Sequence, residues 1–577
     1  MNRFFTFILS FFFLTAGAFA IPASRAPFVV YQSDGTALTV VLTGDEFCHF
    51  LATLDGVPVV EDGGGFYRMA PEMKEELEAR WSAKSKRRNA QRMERSALSK
   101  QRRINMASEG AYIGDKKGIV ILVNFSDLGM SSAHTNEAFD AQFNMVGYKE
   151  NGNMGSVHDY FYDQSYGLFN LTFDVYGPVT ASKPYSYYGE NDAYGEDKHV
   201  TALMREACQL ANSQYDIDWS KYDWDESGEV DQVFIIYAGY GEAFGAPSNT
   251  IWPHEWALSG AGESPLVLGG VKVDTYAMSC ELSGRSGTKM DCIGTACHEF
   301  SHCLGLPDTY DTGYNGGFGM GYWDLMASGN ANGHRNIGDT PAGFSAYERW
   351  HAGWLTPIEL NEPCTVHDMP PLQDEPVAYI IYNDGHSNEF YMLENRQPTG
   401  WFSYVDRSPD CHGMLAVHVN YNRHIWENND VNSDVTKQCM TIIPAGKTYG
   451  TLIVSGDYKY YTTTTEQLRS QLFPGTKNVT ELTNMSHFSF GMKLHNKNTD
   501  GSYYMNKPIT DISESADGLI SFNFMGGGAD AMDRVDNDGN AGTAEFFTLS
   551  GTRVSSPQAS GMYVVRQNGE TKKIYIK

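Results

Sequence analysis

Residues 298–308 read His-Glu-Phe-Ser-His-Cys-Leu-Gly-Leu-Pro-Asp. The two histidines are four residues apart, so on a helix they share one face and can reach the same metal ion. Glu299 lies between them and is placed to hold a water molecule bound to that ion. Gly305 lets the chain turn back, which makes an acidic third ligand available and leaves one coordination position open, as catalytic zinc requires. The predicted zinc ligands are His298, His302 and Asp308.

The third ligand has competitors in the sequence. Asp308 is favoured because it follows the glycine turn at a short spacing. Asp311 lies three residues further along the chain, and Glu348 is a more distant acid that could also reach the ion. From the residues alone, both remain alternatives to Asp308.

The chain has nine cysteines, which is not a disulfide-dense scaffold for 577 residues. Cys297 and Cys303 are direct sequence neighbours of the two histidines, so on a helix they point elsewhere. We interpret them as small buried residues or disulfide partners rather than metal ligands. Cys48, near the N-terminus, has no surrounding motif for metal binding.

The charge distribution argues against nucleic acid and anionic membranes as partners. The formal net charge is −27, yet the first 110 residues carry 14 Lys and Arg against 12 Asp and Glu, so the acidic excess lies in the rest of the chain. Such a surface repels phosphate-rich partners and suits solubility and divalent cations. Hydrophobic residues make up 41% of the chain, which is ample for packed cores.

The first 20 residues have the pattern of a secretion signal. Arg3 is followed by a mostly apolar run over 4–14 and then by Ala18-Phe19-Ala20, an arrangement typical of a leader with a signal-peptidase site. The run is too short to span a bilayer, and no later run is long enough to do so. The sequence predicts cleavage after Ala20 and export, into the medium or to the cell surface, with a membrane anchor as the alternative.

Composition and periodicity predict a multidomain chain with an α/β core and β-rich flanks. Residues 21–73 alternate apolar and polar positions like a small antiparallel β-unit. The strongly basic stretch at 84–103 resembles an exposed segment that proteases cut easily, or else a solvated connecting helix. From 118 helix and strand patterns alternate, and from about 360 short strands predict a sandwich. The predicted segments are a pro-region at 21–110, a catalytic domain at 111–358, a β-sandwich domain at 359–525, a linker at 526–543 and a β-module at 544–577.

Several stretches resemble the immune inhibitor A family of secreted bacterial zinc endopeptidases. They lie at 156–167, 293–308, 322–329, 393–397 and 413–419. The resemblance extends from about residue 115 to about residue 525. It implies a metzincin-like catalytic domain in which Met326 forms the tight turn beneath the metal.

The C-terminal segment resembles the sorting domains of type IX secretion substrates. The similarity rests on Leu549-Ser550-Gly551, Gly561-Met562-Tyr563-Val564 and the terminal Lys577. It implies that the segment contacts an outer-membrane secretion machinery. The alternative is a small β-module that caps the sandwich.

An acidic stretch at 223–231, Asp-Trp-Asp-Glu-Ser-Gly-Glu-Val-Asp, is similar to half of a calcium loop. Carboxylates at alternating positions before a glycine turn can present several hard oxygens to one ion. The match is incomplete, because Ser227 stands where a third acid often occurs and no Glu lies at the twelfth position. The predicted calcium ligands are Asp223, Asp225 and Asp231, with a plain acidic turn as the alternative.

Together these features predict a secreted zinc endopeptidase, made as a zymogen, that hydrolyses peptide bonds of proteins or peptides. In this mechanism zinc polarises a water molecule, and Glu299 accepts the proton and returns it to the leaving amine. One alternative is a cell-surface adhesin or glycan-binding protein on a peptidase scaffold, and another is zinc-dependent hydrolysis of a different bond. His254, among aromatic residues ahead of the motif, is interpreted as either a cleft residue or a core histidine.

Overall fold

The structure is a computed structural model of the 577-residue chain. It describes residues 21–23, 27–45, 48–77, 79–80, 112–192, 195–455, 458–485, 490–528, 545–548, 553–554, 561–567 and 570–576. The leader predicted at 1–20, the basic stretch at 84–103 and the predicted linker from residue 529 onward lie outside the described residues.

The N-terminal unit is a five-stranded antiparallel sheet whose strands follow one another in sequence order. Alternation along the strands turns Val30, Val40 and Val59 to one face, where they form a small buried cluster. This antiparallel sheet lies within the range 21–73, where the alternating pattern occurs. Its strands are β1 (Phe28–Tyr31), β2 (Ala37–Asp45), β3 (Cys48–Thr53), β4 (Pro58–Gly63) and β5 (Phe66–Met69).

A mixed sheet organises the segment from 112 to 354. Its strands are β6 (Gly114–Asn124), β7 (Phe169–Thr180), β8 (Val233–Tyr240), β9 (His254–Ala257) and β12 (Thr275–Leu282), and a separate hairpin is formed by β10 (Leu266–Leu268) and β11 (Val271–Val273). The order is β7-β6-β8-β12-β9, parallel except for the antiparallel edge strand β9. The apolar run 119–123 lies fully buried in β6, as expected for a strand covered on both faces.

Helices cover the two faces of this sheet. Because side chains alternate along a strand, Ile119 and Ile121 pack on the face that carries the helix over 200–214, whereas Val120 and Leu122 pack on the face that carries the histidine helix. From residue 112 onward, the α-helices in the described part of the chain are α1 (Asn136–Asn144), α2 (Val157–Gln164), α3 (Tyr185–Tyr188), α4 (Val200–Gln214), α5 (Ile293–Ser301), α6 (Ala346–His351), α7 (Arg423–Glu427) and α8 (Thr465–Arg469).

Beyond residue 354 the described chain is mostly β-structure. Its strands are β13 (Ile358–Glu359), β14 (Cys364–Met369), β15 (Tyr379–Asn383), β16 (His386–Arg396), β17 (Gly413–Asn420), β18 (Met440–Ile442), β19 (Thr451–Ser455), β20 (Tyr458–Thr462), β21 (Ile509–Glu514) and β22 (Ile520–Phe524). A five-stranded sheet, β13-β15-β16-β17-β18, shares one apolar cluster with a three-stranded sheet, β14-β22-β21. Two sheets packed face to face match the sandwich pattern expected here.

The C-terminal segment contains a four-stranded antiparallel sheet in the order β24-β23-β25-β26. Its strands are β23 (Glu545–Thr548), β24 (Arg553–Val554), β25 (Gly561–Gln567) and β26 (Glu570–Ile576). Among the helices that the structure describes, none combines the length and apolar character needed to cross a membrane. The architecture is therefore mixed α/β with several sheets and few helices, compatible with a peptidase domain accompanied by β-domains.

Candidate metal centre and active site

Helix α5 carries His298, His302 begins the 3-10 turn that continues it, and glycines fix where this helical segment begins and ends. A Cβ on Gly294, in the first turn, would stand 2.1 Å from the Asn330 carbonyl oxygen, so only glycine allows this close approach. After Ser301 the helix continues as a 3-10 turn over 302–304 and stops at Gly305, whose φ of 81° lies in the left-handed region. The predicted turn after the second histidine is therefore present.

The imidazoles of His298 and His302 are fully buried and fixed by carbonyl oxygens. His298 Nδ1 donates to Leu325 O and His302 Nδ1 donates to Leu306 O, each at 2.8 Å. Because a carbonyl only accepts, Nδ1 of each ring carries a proton, and Nε2 is the ring nitrogen that remains for another partner. Burial also lowers the pKa of His302 to about 4. The ring of His302 is thus held in the neutral form that binds metals.

Asp308 completes a triangle of donor atoms with the two imidazoles. Its Oδ1 lies 3.3 Å from His298 Nε2 and 3.7 Å from His302 Nε2. Donor atoms about 2.0–2.2 Å from a tetrahedral zinc ion are about 3.3–3.6 Å apart. His298 Nε2 and Asp308 Oδ1 are buried and have no hydrogen-bond partner among the described residues. The separations between the three atoms therefore fit a divalent cation of the size of zinc.

Asn429, from the turn after α7, holds the carboxylate of Asp308 in place. Asn429 Nδ2 donates to Asp308 Oδ2 at 2.5 Å, and Asn429 Oδ1 accepts the backbone N–H of Asp308 at 2.6 Å. Asn429 has a φ of 55°, a conformation that asparagine tolerates better than most residues. The pairing commits Oδ2 and leaves Oδ1 for the imidazole side. Sequence analysis missed this residue, which is 121 positions away and belongs to no motif.

The two alternative third ligands have other roles. Asp311 Oδ1 accepts the N–H of Gly313, and its Oδ2 accepts the three N–H groups of 315–317, so this carboxylate organises its own loop. Glu348 caps the N-terminus of α6 through Ser345. Burial and the neighbouring Asp324 raise the pKa of Glu348 well above its usual value. The structure brings Asp308, rather than these two acids, to the histidines.

Met326 lies fully buried in a tight turn tied to the third-ligand loop. Its N–H donates to Asp324 Oδ1 at 2.8 Å, and its carbonyl accepts the N–H of Thr309 at 2.7 Å. The Thr309 hydroxyl in turn donates to Asp324 Oδ2 at 3.1 Å. Because Thr309 directly follows Asp308, and Leu325 O holds His298, this turn supports two of the candidate ligands at once.

Glu299 is fully buried beside the histidines, and candidate ligand atoms of His298, Glu299 and His302 lie within 4.8 Å of one another. Glu299 Oε1 accepts the backbone N–H of Ile21 at 3.1 Å. The carbonyl of Ile21 accepts from Trp252 Nε1, also at 3.1 Å. The N-terminal segment 21–23 therefore lies directly against the carboxylate predicted to act as base.

The sheet β1–β5 also packs on this side of the site. Ala23 N–H donates to Gly44 O, which also accepts from the Tyr314 hydroxyl at 3.0 Å. Cys48 is buried in a cluster that includes Tyr314, so its surroundings are aromatic packing. The guanidinium of Arg285 lies 3.8 Å from the centre of the Phe28 ring. These contacts attach the predicted pro-region to the segment that carries the histidines.

All nine cysteines are buried and form no disulfide. The disulfide alternative for Cys297 and Cys303 is therefore wrong, and the small-buried-residue alternative is confirmed. Both lie in the apolar cluster beneath α5, where thiols behave as small hydrophobic groups. Burial raises the pKa of the Cys297 thiol well above its usual value, so it stays protonated and is a poor metal ligand.

His254, at the start of β9, is 5% exposed, and its Nδ1 donates to Trp252 O at 2.6 Å. Burial lowers its pKa to about 4, so the ring is neutral. This environment is that of a hydrogen-bonded core histidine, one of the two interpretations open from the sequence.

The acidic stretch at 223–231 gathers three carboxylates. Oxygens of Asp223, Asp225 and Asp231 lie within 4.8 Å of one another. Asp223 accepts the N–H of Gly228 at 2.6 Å and that of Ser227 at 3.0 Å. Asp231 Oδ2 accepts the N–H of Trp224 at 2.7 Å. The carboxylates thus converge, but the loop backbone already donates hydrogen bonds to them.

Comparisons with known proteins agree with the geometry of the histidine site. Residues 105–354 match the family model described as immune inhibitor A peptidase M6, catalytic domain. The chain is 29% identical over 273 residues to the pre-pro-metalloprotease PrtV of Vibrio cholerae serotype O1, strain M66-2, an alignment covering 40% of this chain and 29% of the relative. It is 26% identical over 279 residues to immune inhibitor A of Bacillus thuringiensis subsp. alesti, covering 41% and 40% respectively. The chain thus spans less than half the length of these relatives. The matches support a metallopeptidase.

Proposed function

We propose that this chain is a secreted zinc endopeptidase with a metzincin-like catalytic domain, synthesised as a zymogen. The observation that carries the proposal is the buried triangle of His298 Nε2, His302 Nε2 and Asp308 Oδ1. Buried polar atoms are normally hydrogen-bonded, and His298 Nε2 and Asp308 Oδ1 would destabilise the fold if they stayed without a partner. A bound cation removes that penalty, so the arrangement is better explained by a metal than by packing.

Zinc at this site supplies Lewis-acid chemistry, which makes water more acidic and stabilises negative charge that develops on a scissile carbonyl. Glu299 accepts the proton of the attacking water and passes it to the leaving amine. The Nδ1–H bonds of His298 and His302 keep their Nε2 lone pairs aimed at the metal position. Asp308, steadied by Asn429, supplies the acidic ligand. Met326 lies in the turn beneath the site.

The zymogen part of the proposal rests on the contact between Ile21 and Glu299. With the Ile21 N–H on Oε1 of the predicted base, and Ile21 only 2% exposed, that oxygen is not available to a water molecule. Processing in the basic stretch at 84–103 would separate residues 21–23 from the catalytic segment. Removal of a leader after Ala20 would make Ile21 the first residue of the exported precursor.

Export is proposed from the sequence of the leader and from the resemblance of the C-terminal segment to type IX sorting domains. The segment forms the sheet β23–β26, a separate β-module suited to recognition by secretion machinery. N-terminal sequencing and mass measurement of the protein recovered from culture medium test whether the leader and the C-terminal segment are removed. Retention of residues 1–20 in the mature protein would contradict the export proposal.

We also propose that the loop 223–231 binds a calcium ion, more weakly than the histidine site binds zinc. The support is the convergence of Asp223, Asp225 and Asp231 oxygens within 4.8 Å, which offers hard oxygen donors to one ion. This site would stabilise the loop before β8 and take no part in hydrolysis.

The decisive experiment for the main proposal is protein hydrolysis with matched controls. Secreted protein, activated by limited trypsin digestion and freed of trypsin activity by an inhibitor, is assayed on casein with and without a chelator and after zinc is restored. Hydrolysis that the chelator abolishes and zinc restores, and that Glu299→Ala lacks, supports the proposal. Intact casein under all conditions, together with binding of glycans or host proteins, would instead support the adhesin alternative. Activity on a non-peptide ester or amide alone would indicate a different hydrolase.

A further inference from the structure

A second acidic site lies beside the segment that covers Glu299. Glu242, in the turn after β8, is 2% exposed and accepts from His49 Nε2 at 2.7 Å. Asp197 accepts the N–H of Trp252 at 2.9 Å through Oδ2. Its other oxygen and Glu242 Oε2 are buried without a hydrogen-bond partner among the described residues. Two carboxylates thus keep acceptor capacity that the described catalytic segment leaves unused.

Trp252 joins this acidic site to the catalytic base. The indole Nε1 donates to Ile21 O, and the N–H of Ile21 donates to Glu299. The same indole ring lies 4.7 Å, centroid to centroid, from the ring of His49. The Trp252 side chain therefore separates the acidic site from Ile21, the residue that is hydrogen-bonded to Glu299. Both lie on the side of the sheet where β9 is the edge strand.

The present occupant of the acidic site belongs to the predicted pro-region. His49 lies in β3, and its Nδ1 donates to Asp45 O while Nε2 faces Glu242. Burial acts against its charge, but Glu242 overcomes that effect and raises the pKa of His49 above its usual value. Burial, and then Glu242, raise the pKa of Asp197 well above its usual value. The two carboxyl groups destabilise each other's negative charge, and a cation placed between them would relieve that repulsion.

We propose that the site formed by Glu242, Asp197 and Trp252 is a substrate subsite that takes a cationic side chain, Lys or Arg, and that His49 occupies it in the precursor. This inference rests on the proposed function, because it requires the pro-region to leave. Its departure would expose an indole face beside two carboxylates. A guanidinium or ammonium offers hydrogen-bond donors to the carboxyl oxygens of Glu242 and Asp197 that have no partner among the described residues, and it can lie against the indole face that His49 contacts. The result is a preference for a basic residue at one fixed distance from the scissile bond.

The test compares peptides that differ only by Lys or the neutral norleucine at each position around the cleaved bond. Trypsin-activated, inhibitor-quenched full chain is used, and identically treated Glu299→Ala sets the background. We expect kcat/KM to favour Lys by about tenfold or more at one position, because a charged hydrogen bond is lost with norleucine. Glu242→Gln, which keeps the side-chain shape, should reduce this ratio towards unity, and Asp197→Asn should reduce it partly. Asp216→Asn, an exposed acid after α4, should leave the ratio unchanged.

Several outcomes would overturn the inference. Chelator-sensitive hydrolysis without any Lys preference, or a preference that both Glu242→Gln and Asp197→Asn retain, rejects the subsite while leaving the proposed function intact. A calcium-dependent rise in Tm that Glu242→Gln abolishes, without a Lys preference, assigns the acidic site to a divalent cation instead. Weaker binding of the pro-region alone, without a change in the peptide ratio, restricts the site to holding His49. Absence of any hydrolysis rejects the proposed function and the subsite together.

Discussion

The stretch 298–308 and the loop 223–231 both collect residue types that bind cations, but their atoms are committed differently. In the stretch 298–308, each candidate ligand forms a hydrogen bond to the protein through one side-chain atom. Its second polar atom is directed towards the position proposed for the metal. In the second, the N–H groups of Trp224, Ser227 and Gly228 donate to the same carboxylates that would bind an ion. The first is fully buried, whereas Asp223 and Asp225 are half-buried. Residue type alone therefore does not separate a strong metal site from a weak one. The strong site is expected where side-chain atoms are not already used in hydrogen bonds to the backbone.

The largest expected effect concerns the base within the first region. Glu299→Gln should lower kcat/KM for peptide hydrolysis by roughly 10²–10⁴-fold, because the amide cannot accept the water proton. Zinc content, measured by elemental analysis, should stay at the wild-type level, since the ligands are untouched. Near wild-type activity in this variant would show that another residue is the base, which would contradict the role proposed for the stretch 298–308.

Two aspartates close together in sequence, Asp308 and Asp311, test which acid is the third ligand. Asp308→Ala should weaken zinc binding by more than about 100-fold, because loss of an outer partner alone weakens it about 10–100-fold. Asp311→Ala should leave zinc affinity unchanged and lower the free energy of unfolding by about 1–3 kcal/mol, since its carboxylate accepts four backbone N–H bonds. Competition with a chromophoric chelator and urea unfolding measure the two effects. The reverse pattern would make Asp311 the ligand.

Asn429 tests whether hydrogen bonds outside the ligand set define the strong site. Asn429→Ala should weaken zinc binding by about 10–100-fold, because Asp308 loses both the amide that holds Oδ2 and the acceptor for its N–H. Asn388→Ala, an exposed asparagine of the same domain, is the matched control and should bind zinc normally. Equal zinc affinity in the two variants would show that Asp308 is held without Asn429.

The smallest effect is expected at the loop 223–231. Calcium at about five times its dissociation constant should stabilise the wild type by about 1 kcal/mol, seen as a small rise in Tm. Asp225→Asn should remove that rise, whereas Asp216→Asn, outside the loop, should retain it. If calcium and magnesium both leave the wild-type Tm unchanged, the loop is a plain acidic turn.

The sequence predicted the parts of the site that depend on local spacing. The helical face shared by His298 and His302, the turn at Gly305 and the buried run 119–123 follow from periodicity and from glycine stereochemistry, and the structure contains all three. The contacts of Asn429 and Ile21 could not be predicted, because they join residues 121 and 278 positions apart and depend on how separate sheets pack. The disulfide alternative failed for a related reason: sequence counts cysteines, whereas pairing depends on tertiary distance.

The two hydrogen bonds between Asn429 and Asp308 limit where the chain can be truncated or recombined. A gene fragment ending near residue 358 would encode the histidine helix and Asp308, the proposed third ligand, but omit the Asn429 amide that holds Asp308. Truncation, domain exchange or recombination at that boundary would therefore yield a protein with weakened zinc retention. The catalytic and sandwich segments are expected to descend as one unit, and heat that melts the sandwich should inactivate the enzyme through metal loss.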